Sequence, residues 1–181
     1  MKSKIIWFTG LSGSGKTTLS NYIHKILKKN FKTLKVDGDV FRKKGKTRGF
    51  AKKDIIYNNQ AIINYLFKNK NKYDYLIVAV ISPLKETRKL AKKKFGKYYF
   101  EVHTKCNLKE LIRRDPKKLY FKAKQGKIRN LIGYNSKIKY EKTNYKKITV
   151  NTYKETIKES AKKILKKIMK EKRLKKYNPQ V

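Results

Sequence analysis

Acidic residues are scarce in this chain: 12 Asp and Glu stand against 51 Lys and Arg, a formal net charge of +39. A surplus of this size ordinarily signals a nucleic-acid or anionic-membrane partner. Arginine, however, is scarce too. Seven of the 51 basic residues are Arg, which leaves 51 − 7 = 44 Lys, spread along the chain with no nucleic-acid reading motif beside them. The charge therefore reads as compositional drift, and nucleic-acid binding is not expected. The field should still speed the capture of anionic nucleotides, in a salt-dependent way. A single cysteine, Cys106, excludes an intrachain disulfide and a cysteine-rich metal site. The two histidines, His24 and His103, lack a metal-like partner set and are read as structural. No apolar run approaches the ~18 residues of a membrane span, and the start has no signal-peptide pattern, so no membrane partner and a cytoplasmic location are expected. With 181 residues the chain can bury one core and a small lid. One domain is expected over residues 1–172, with a lid at about 115–146 and a polar, flexible tail at 173–181.

What is present is concentrated at the start. Gly10-Leu11-Ser12-Gly13-Ser14-Gly15-Lys16-Thr17 follows the apolar run Ile5-Ile6-Trp7-Phe8 and meets the phosphate-loop pattern G-x-x-x-x-G-K-[ST] at every constrained position. Such a loop points successive backbone N–H groups at phosphates, and the positive end of the following helix adds attraction. Lys16 is expected to reach the transferring phosphate and Thr17 to ligate Mg²⁺, while Gly10, Ser12, Gly13, Ser14, Gly15 and Thr18 complete the ATP cradle. The required context, a strand before and a helix after, is visible in the pattern of residues 4 to 29.

Alternating apolar runs and helical periods predict an α/β fold: a P-loop nucleoside-triphosphatase-type three-layer αβα sandwich with a parallel sheet and a mobile lid. Strands are expected at Lys4 to Thr9, Thr33 to Val36, Tyr75 to Ile81, Tyr98 to His103 and Lys147 to Asn151. Helices are expected at about 16–29, 54–68, 85–95 and 107–113. A last helix is expected to open on a capping box, Thr152-Tyr153-Lys154-Glu155, and to place Ile157, Ala161, Ile164, Leu165, Ile168 and Met169 on one stripe. At the end of the second strand stands Val36-Asp37-Gly38-Asp39-Val40-Phe41-Arg42. Ligands gather at the carboxyl ends of parallel strands. Asp37 or Asp39 could hold Mg²⁺ water or accept a proton from an attacking hydroxyl; the plainer alternative is an Asp-Gly turn that caps a helix.

The chain resembles the adenylylsulfate kinases over nearly its whole length, through separated blocks. Ile6 to Thr18 is close to the family's phosphate loop. Asp37-Gly38-Asp39 with Arg42 resembles D-G-D-N-x-R, and Gly49-Phe50 with Asp54 and Asn58 resembles G-F-S-x-x-D-R-x-x-N. Ile81-Ser82-Pro83 is similar to the family's I-S-P turn, and Arg114-Asp115-Pro116-Lys117-Lys118-Leu119-Tyr120 to its R-D-P-K-G-L-Y lid. The resemblance implies phosphoryl transfer from ATP, with Mg²⁺, to the 3′-hydroxyl of adenosine 5′-phosphosulfate. It implies Asp37 as catalytic acid/base near the metal and Asp39 as second choice for that role. Arg42, Phe50, Asn58 and Ser82 would line the acceptor pocket, and Arg114 and Lys117 would lie over ATP. The implied partner is a nucleotide, and a homodimer is compatible with it.

The departures fall on the acceptor side. The family's Arg after the Asp aligned with Asp54 is Ile55 here, so one anion-binding fork is missing. Val40 replaces the Asn of D-G-D-N, and the loop from Arg42 to Phe50 is one residue shorter. A relative with another acceptor phosphorylates cytidine diphosphoramidate in capsule-polysaccharide modification, and loss of a pocket Arg suits a less anionic terminal group. Arg48 or a local Lys could equally replace the contact and keep adenylylsulfate. A nucleoside monophosphate or sugar kinase, or a non-catalytic nucleotide-dependent binding protein, are the competing classes; neither predicts all the blocks together.

Overall fold

The computed structural model describes residues 3–44 and 51–169. Arg48, Gly49, Phe50 and the tail at 173–181 lie outside the described residues. Five strands form one sheet: β1 (Lys4–Thr9), β2 (Thr33–Asp37), β3 (Tyr75–Ala79), β4 (Tyr99–Lys105) and β5 (Ile148–Asn151). Their order is β2-β3-β1-β4-β5 and every pairing is parallel. The helices are α1 (Lys16–Leu27), α2 (Gly38–Lys44), α3 (Lys52–Asn69), α4 (Lys85–Phe95), α5 (Leu108–Arg114), α6 (Leu119–Lys124) and α7 (Ile157–Ile168). No described helix is long and apolar enough to cross a membrane.

The continuous apolar runs are explained by burial on both faces of the sheet. Ile6 and Phe8 of β1 and Ile77 of β3 point to one side, where Leu19, Ile23 and Leu27 of α1 meet Ala161, Ile164 and Ile168 of α7. Ile5, Trp7, Leu76 and Val78 point to the other, against Ile62, Ile63 and Leu66 of α3 and Ala91 and Phe95 of α4. Period-2 strands between period-3.6 helix stripes thus give the three layers. Each fully buried aliphatic or aromatic side chain contributes about 1.5–3 kcal/mol of transfer free energy, so β1, with five of six residues buried, is the sheet's anchor.

The chain runs from β1 past β3 to β2, then from β3 past β1 to β4. The direction reverses beside the carboxyl end of β1, which is the switch point where ligands bind in open parallel sheets. The loops after β1, β2 and β3 converge there.

Several boundaries differ from the sequence reading. Strand β3 stops at Ala79, so Val80 and Ile81 belong to the exit loop, although the Val80 amide still donates to the Phe8 carbonyl at 3.1 Å. The last helix does not start on Thr152. Its cap is Thr156, whose hydroxyl accepts from the Glu159 amide while the Glu159 carboxylate takes the Thr156 amide. Glu155 instead accepts the Asn151 amide and the Ser160 hydroxyl. Two short helices carried no periodic signal: α2 directly after Asp37, and α6 inside the 115–146 segment.

Candidate active site

The phosphate loop is built by backbone geometry its sequence demands. Gly15 precedes α1 at φ 84°, a conformation L side chains avoid. At Gly10, φ 144°, a Cβ would come within 2.6 Å of the Thr104 carbonyl and hydroxyl. The Thr104 hydroxyl donates to the Thr9 carbonyl at 3.1 Å, so its one proton is spent and Ser14 Oγ, 2.7 Å away, is the donor between them. Ser14 is therefore buried against β4, and the side chain expected in the ATP cradle braces the loop from behind.

Lys16 is half-buried, and its Nζ donates to the Leu11 carbonyl at 2.8 Å. Withdrawal from water pushes its pKa down to about 8, a shift opposed by Asp39 and Asp37 and deepened by Lys117. The Thr17 hydroxyl donates to Asp37 Oδ2 at 3.3 Å, and the Asp39 amide donates to Asp37 Oδ1 at 3.0 Å. Asp37 thus caps the start of α2, as the plainer alternative has it, and it also meets the phosphate loop through Thr17. Asp39 pairs with Lys117 of the lid. Burial raises its pKa, but the Lys117 hydrogen bond and charge, with Arg42 and Lys16, more than offset this and hold the carboxyl below its ordinary value. Burial lowers the Arg42 pKa, against the pull of Asp39 and Asp54.

These groups open onto one cavity of about 1020 Å³, roofed by residues 127–132. Ser12, Gly13, Gly15, Lys16, Thr17 and Thr18 of the phosphate loop line it together with Asp37, Asp39 and Arg42, and with Arg114 and Lys117 at the lid. Besides Ser14, three expected site residues lie outside the lining. Gly10 packs on Thr104. Ser82 is buried with φ 44°, its hydroxyl turned to Thr87 at 3.4 Å rather than into the cavity. A non-Gly residue in that region costs about 1–3 kcal/mol, so the turn is held by its surroundings. Asn58 is buried on α3 outside the lining, and its Nδ2 has no hydrogen-bond partner among the described residues.

The lid is tied to the phosphate loop at two points. The Tyr120 hydroxyl of α6 donates to the Ser12 carbonyl at 3.0 Å. Arg114 donates to the Thr152 carbonyl at 2.8 Å and to Glu110 at 2.7 Å, while Thr152 Oγ1 donates to the Ser14 carbonyl at 3.1 Å. Thr152 was expected to cap a helix, and it serves the site instead. The place of the missing family Arg is filled by an apolar cluster: Ile55, 2% exposed, packs with Leu84 and Ile132. Lys118, at the Gly of the family's lid pattern, has φ 52°.

Sequence reasoning did not single out Arg88 or Thr104, and it gave Thr152 only a capping role. The signal for Arg88 was compositional: in a chain that uses Lys almost everywhere, a retained Arg marks a position where the planar fork matters.

A model of the adenylylsulphate kinase family matches residues 2–151. The adenylyl-sulfate kinase of Clostridium acetobutylicum is 37% identical over 157 residues, 86% of this chain and 78% of its own length. The probable adenylyl-sulfate kinase of Archaeoglobus fulgidus is 35% identical over 154 residues, 84% of this chain and 97% of its own. Among solved structures, the Mycobacterium tuberculosis APS kinase CysC in complex with AMPPNP and APS superposes with a TM-score of 0.81 and 31% identity, covering 91% of this chain and 96% of that one.

Proposed function

The chain belongs to the adenylylsulphate kinase family, whose members are ATP-dependent phosphotransferases with a hydroxyl acceptor, and from that premise we propose that it phosphorylates the 3′-hydroxyl of a 5′-substituted nucleotide. The observation that carries this reading is the opening of Lys16, Thr17, Asp37, Asp39 and Arg42 onto one cavity under the lid. The acceptor oxygen bonds to the γ-phosphorus as the bond to the β–γ bridging oxygen breaks, ADP leaves, and the hydroxyl proton passes to a base.

Asp37 is assigned that base. Its two oxygens are fixed by the Asp39 amide and the Thr17 hydroxyl, so the carboxylate is oriented before substrate arrives. Lys16 exchanges the Leu11 carbonyl for a phosphate oxygen, and charge on its ammonium is favoured by that exchange. Arg114 and Lys117 close over ATP and exclude water. The Thr17 hydroxyl and Asp37 carboxylate, 3.3 Å apart, are hard oxygen donors that fit Mg²⁺. Among the described residues no group of three or more His, Cys, Asp or Glu could hold a metal, so the ion would be shared with phosphate oxygens and water. Bound there, it would neutralise phosphate charge. A cytoplasmic location belongs to the same proposal.

Two acceptors fit the reading: adenylylsulfate, and a nucleotide with a less anionic terminal group such as cytidine diphosphoramidate. The Ile55–Leu84–Ile132 cluster favours the second, since an apolar contact offers an anion no fork where the family has Arg. The test is coupled ADP release with ATP-Mg²⁺ and, separately, adenylylsulfate, cytidine diphosphoramidate, AMP and CMP. Turnover with a 5′-substituted nucleotide is expected; none with any acceptor sinks the reading.

A further inference from the structure

Arg88 lies outside the cavity lining, yet it is fully buried on the inner face of α4. Its Nη1 donates to the Ser82 carbonyl and its Nη2 to the Glu141 carbonyl. Its Nε stands 3.5 Å from Oε1 of Glu101, itself buried on β4. The Glu101 carboxylate accepts hydrogen bonds from the Thr143 hydroxyl at 3.1 Å and the Tyr145 hydroxyl at 2.5 Å. The Tyr140 ring lies 4.9 Å from the guanidinium carbon, and the two Thr9 contacts fix its hydroxyl: Thr9 Oγ1 donates to the Ile81 carbonyl at 2.6 Å, so the Tyr140 hydroxyl donates to Thr9 at 2.9 Å. Glu141 completes the junction, with its amide on the Pro83 carbonyl and its carboxylate on the Lys85 amide that opens α4.

One buried fork therefore grips two segments distant in sequence: the left-handed turn at Ser82, whose neighbour Ile81 lines the cavity, and residues 140–145, where the chain returns from the lid. The nucleotide end is braced by a second set, Ser14 on Thr104 and Thr152 on Ser14, in which Arg88 and Glu101 have no part; it meets the Arg88 network at Thr9, whose carbonyl accepts from Thr104 while its hydroxyl serves Tyr140 and Ile81. We propose that Arg88 is a positioning residue that locks the acceptor-side turn to the root of the lid, and so sets acceptor affinity without setting ATP affinity. The proposal rests on the kinase reading above. Charge alone is insufficient for the task, because a Lys ammonium can balance Glu101 but cannot present two parallel N–H groups to carbonyls on separate segments.

The test uses Arg88→Lys and Arg88→Met in the full chain, with three readouts: acceptor KM for whichever 5′-substituted nucleotide the wild type turns over, the Kd of a fluorescent ATP analogue, and amide exchange. Expected for Arg88→Lys are a rise of ~10-fold or more in acceptor KM, an analogue Kd within about twofold of wild type, and faster exchange at the Lys85 and Glu141 amides while the β1 amides stay protected. Arg88→Met should add a fall in melting temperature from the unpaired Glu101. Wild-type KM and exchange in Arg88→Lys, or acceptor KM and analogue Kd weakening in step, overturns the proposal. If the wild type turns over no acceptor, the kinase reading fails by itself, and exchange at Lys85 and Glu141 against analogue binding still decides whether Arg88 locks the two segments.

Discussion

The Tyr120 hydroxyl on α6 donates to the carbonyl of Ser12 in the phosphate loop, 3.0 Å away and 108 residues apart in sequence. Through this bond the lid holds the loop that must cradle phosphates. Burial raises the Tyr120 pKa to about 12, so the hydroxyl remains a donor throughout the working range. Tyr120→Phe should leave the fold intact and weaken ATP binding by about 1 kcal/mol, roughly fivefold in Kd. A titration with a fluorescent ATP analogue checks this, and unchanged affinity would mean the lid helix does not support the loop.

Asp37 and Lys16 carry the chemical step in the proposed function. Asp37→Asn should lower kcat by ~10²–10⁴, the usual worth of a general base, with the melting temperature near wild type. Lys16→Ala should cost ~10² or more, because it removes a donor aimed at the transferring phosphoryl group. Wild-type rates in either folded variant refute the assigned role.

Nucleotide affinity should depend on alkaline pH through Lys16. Its pKa of about 8 in the free protein rises when the ammonium meets phosphate, so above pH 8 binding must take up a proton. Affinity should therefore be flat below pH 8 and fall by up to ~10-fold per pH unit above it. Lys16→Arg, which stays charged, should bind with no such slope. Isothermal titration in buffers of different ionisation enthalpy reads the proton uptake directly.

Ile55→Arg tests the apolar cluster at the acceptor end. Because Ile55 is 2% exposed against Leu84 and Ile132, the introduced charge should cost about 2–4 kcal/mol of stability. Adenylylsulfate should recover part of that loss by pairing with the guanidinium, and its rate relative to cytidine diphosphoramidate should rise. Unchanged relative rates in the folded variant would remove Ile55 as a selectivity element.

His103 predicts the acid limb of stability. Burial, then Lys147, Arg88, Lys105 and Lys142, push its pKa down to about 4, and its ring stacks on Tyr140 at 5.2 Å. Between pH 6.5 and 4 the unfolded chain binds the extra proton, so the stability this neutral imidazole contributes is present above 6.5 and lost as pH falls toward 4. Urea midpoints across that range should drop less steeply in His103→Phe than in the wild type.

The amino-acid sequence by itself determined the elements whose cause is local. Leu76 to Ala79 had to be a strand covered on both faces, because an unbroken apolar run has nowhere else to go. Gly10 to Thr17 had to be a phosphate loop, because its glycines and Lys16-Thr17 carry the geometry in their own backbone and spacing. Tertiary structure decided wherever two local readings competed or partners lay far apart. Thr152-x-x-Glu155 and Thr156-x-x-Glu159 are equally good capping boxes. Only the second caps α7, since Thr152 faces the Ser14 carbonyl and Arg114, which no local pattern brings near. Ser82 reads as a pocket hydroxyl until Arg88 and Thr87 turn its peptide and side chain inward. Short-range preference is written into neighbouring residues. Which of two satisfied hydrogen-bond sets survives depends on chain closure that brings Thr152 to Ser14, and Ser82 and Glu141 to Arg88.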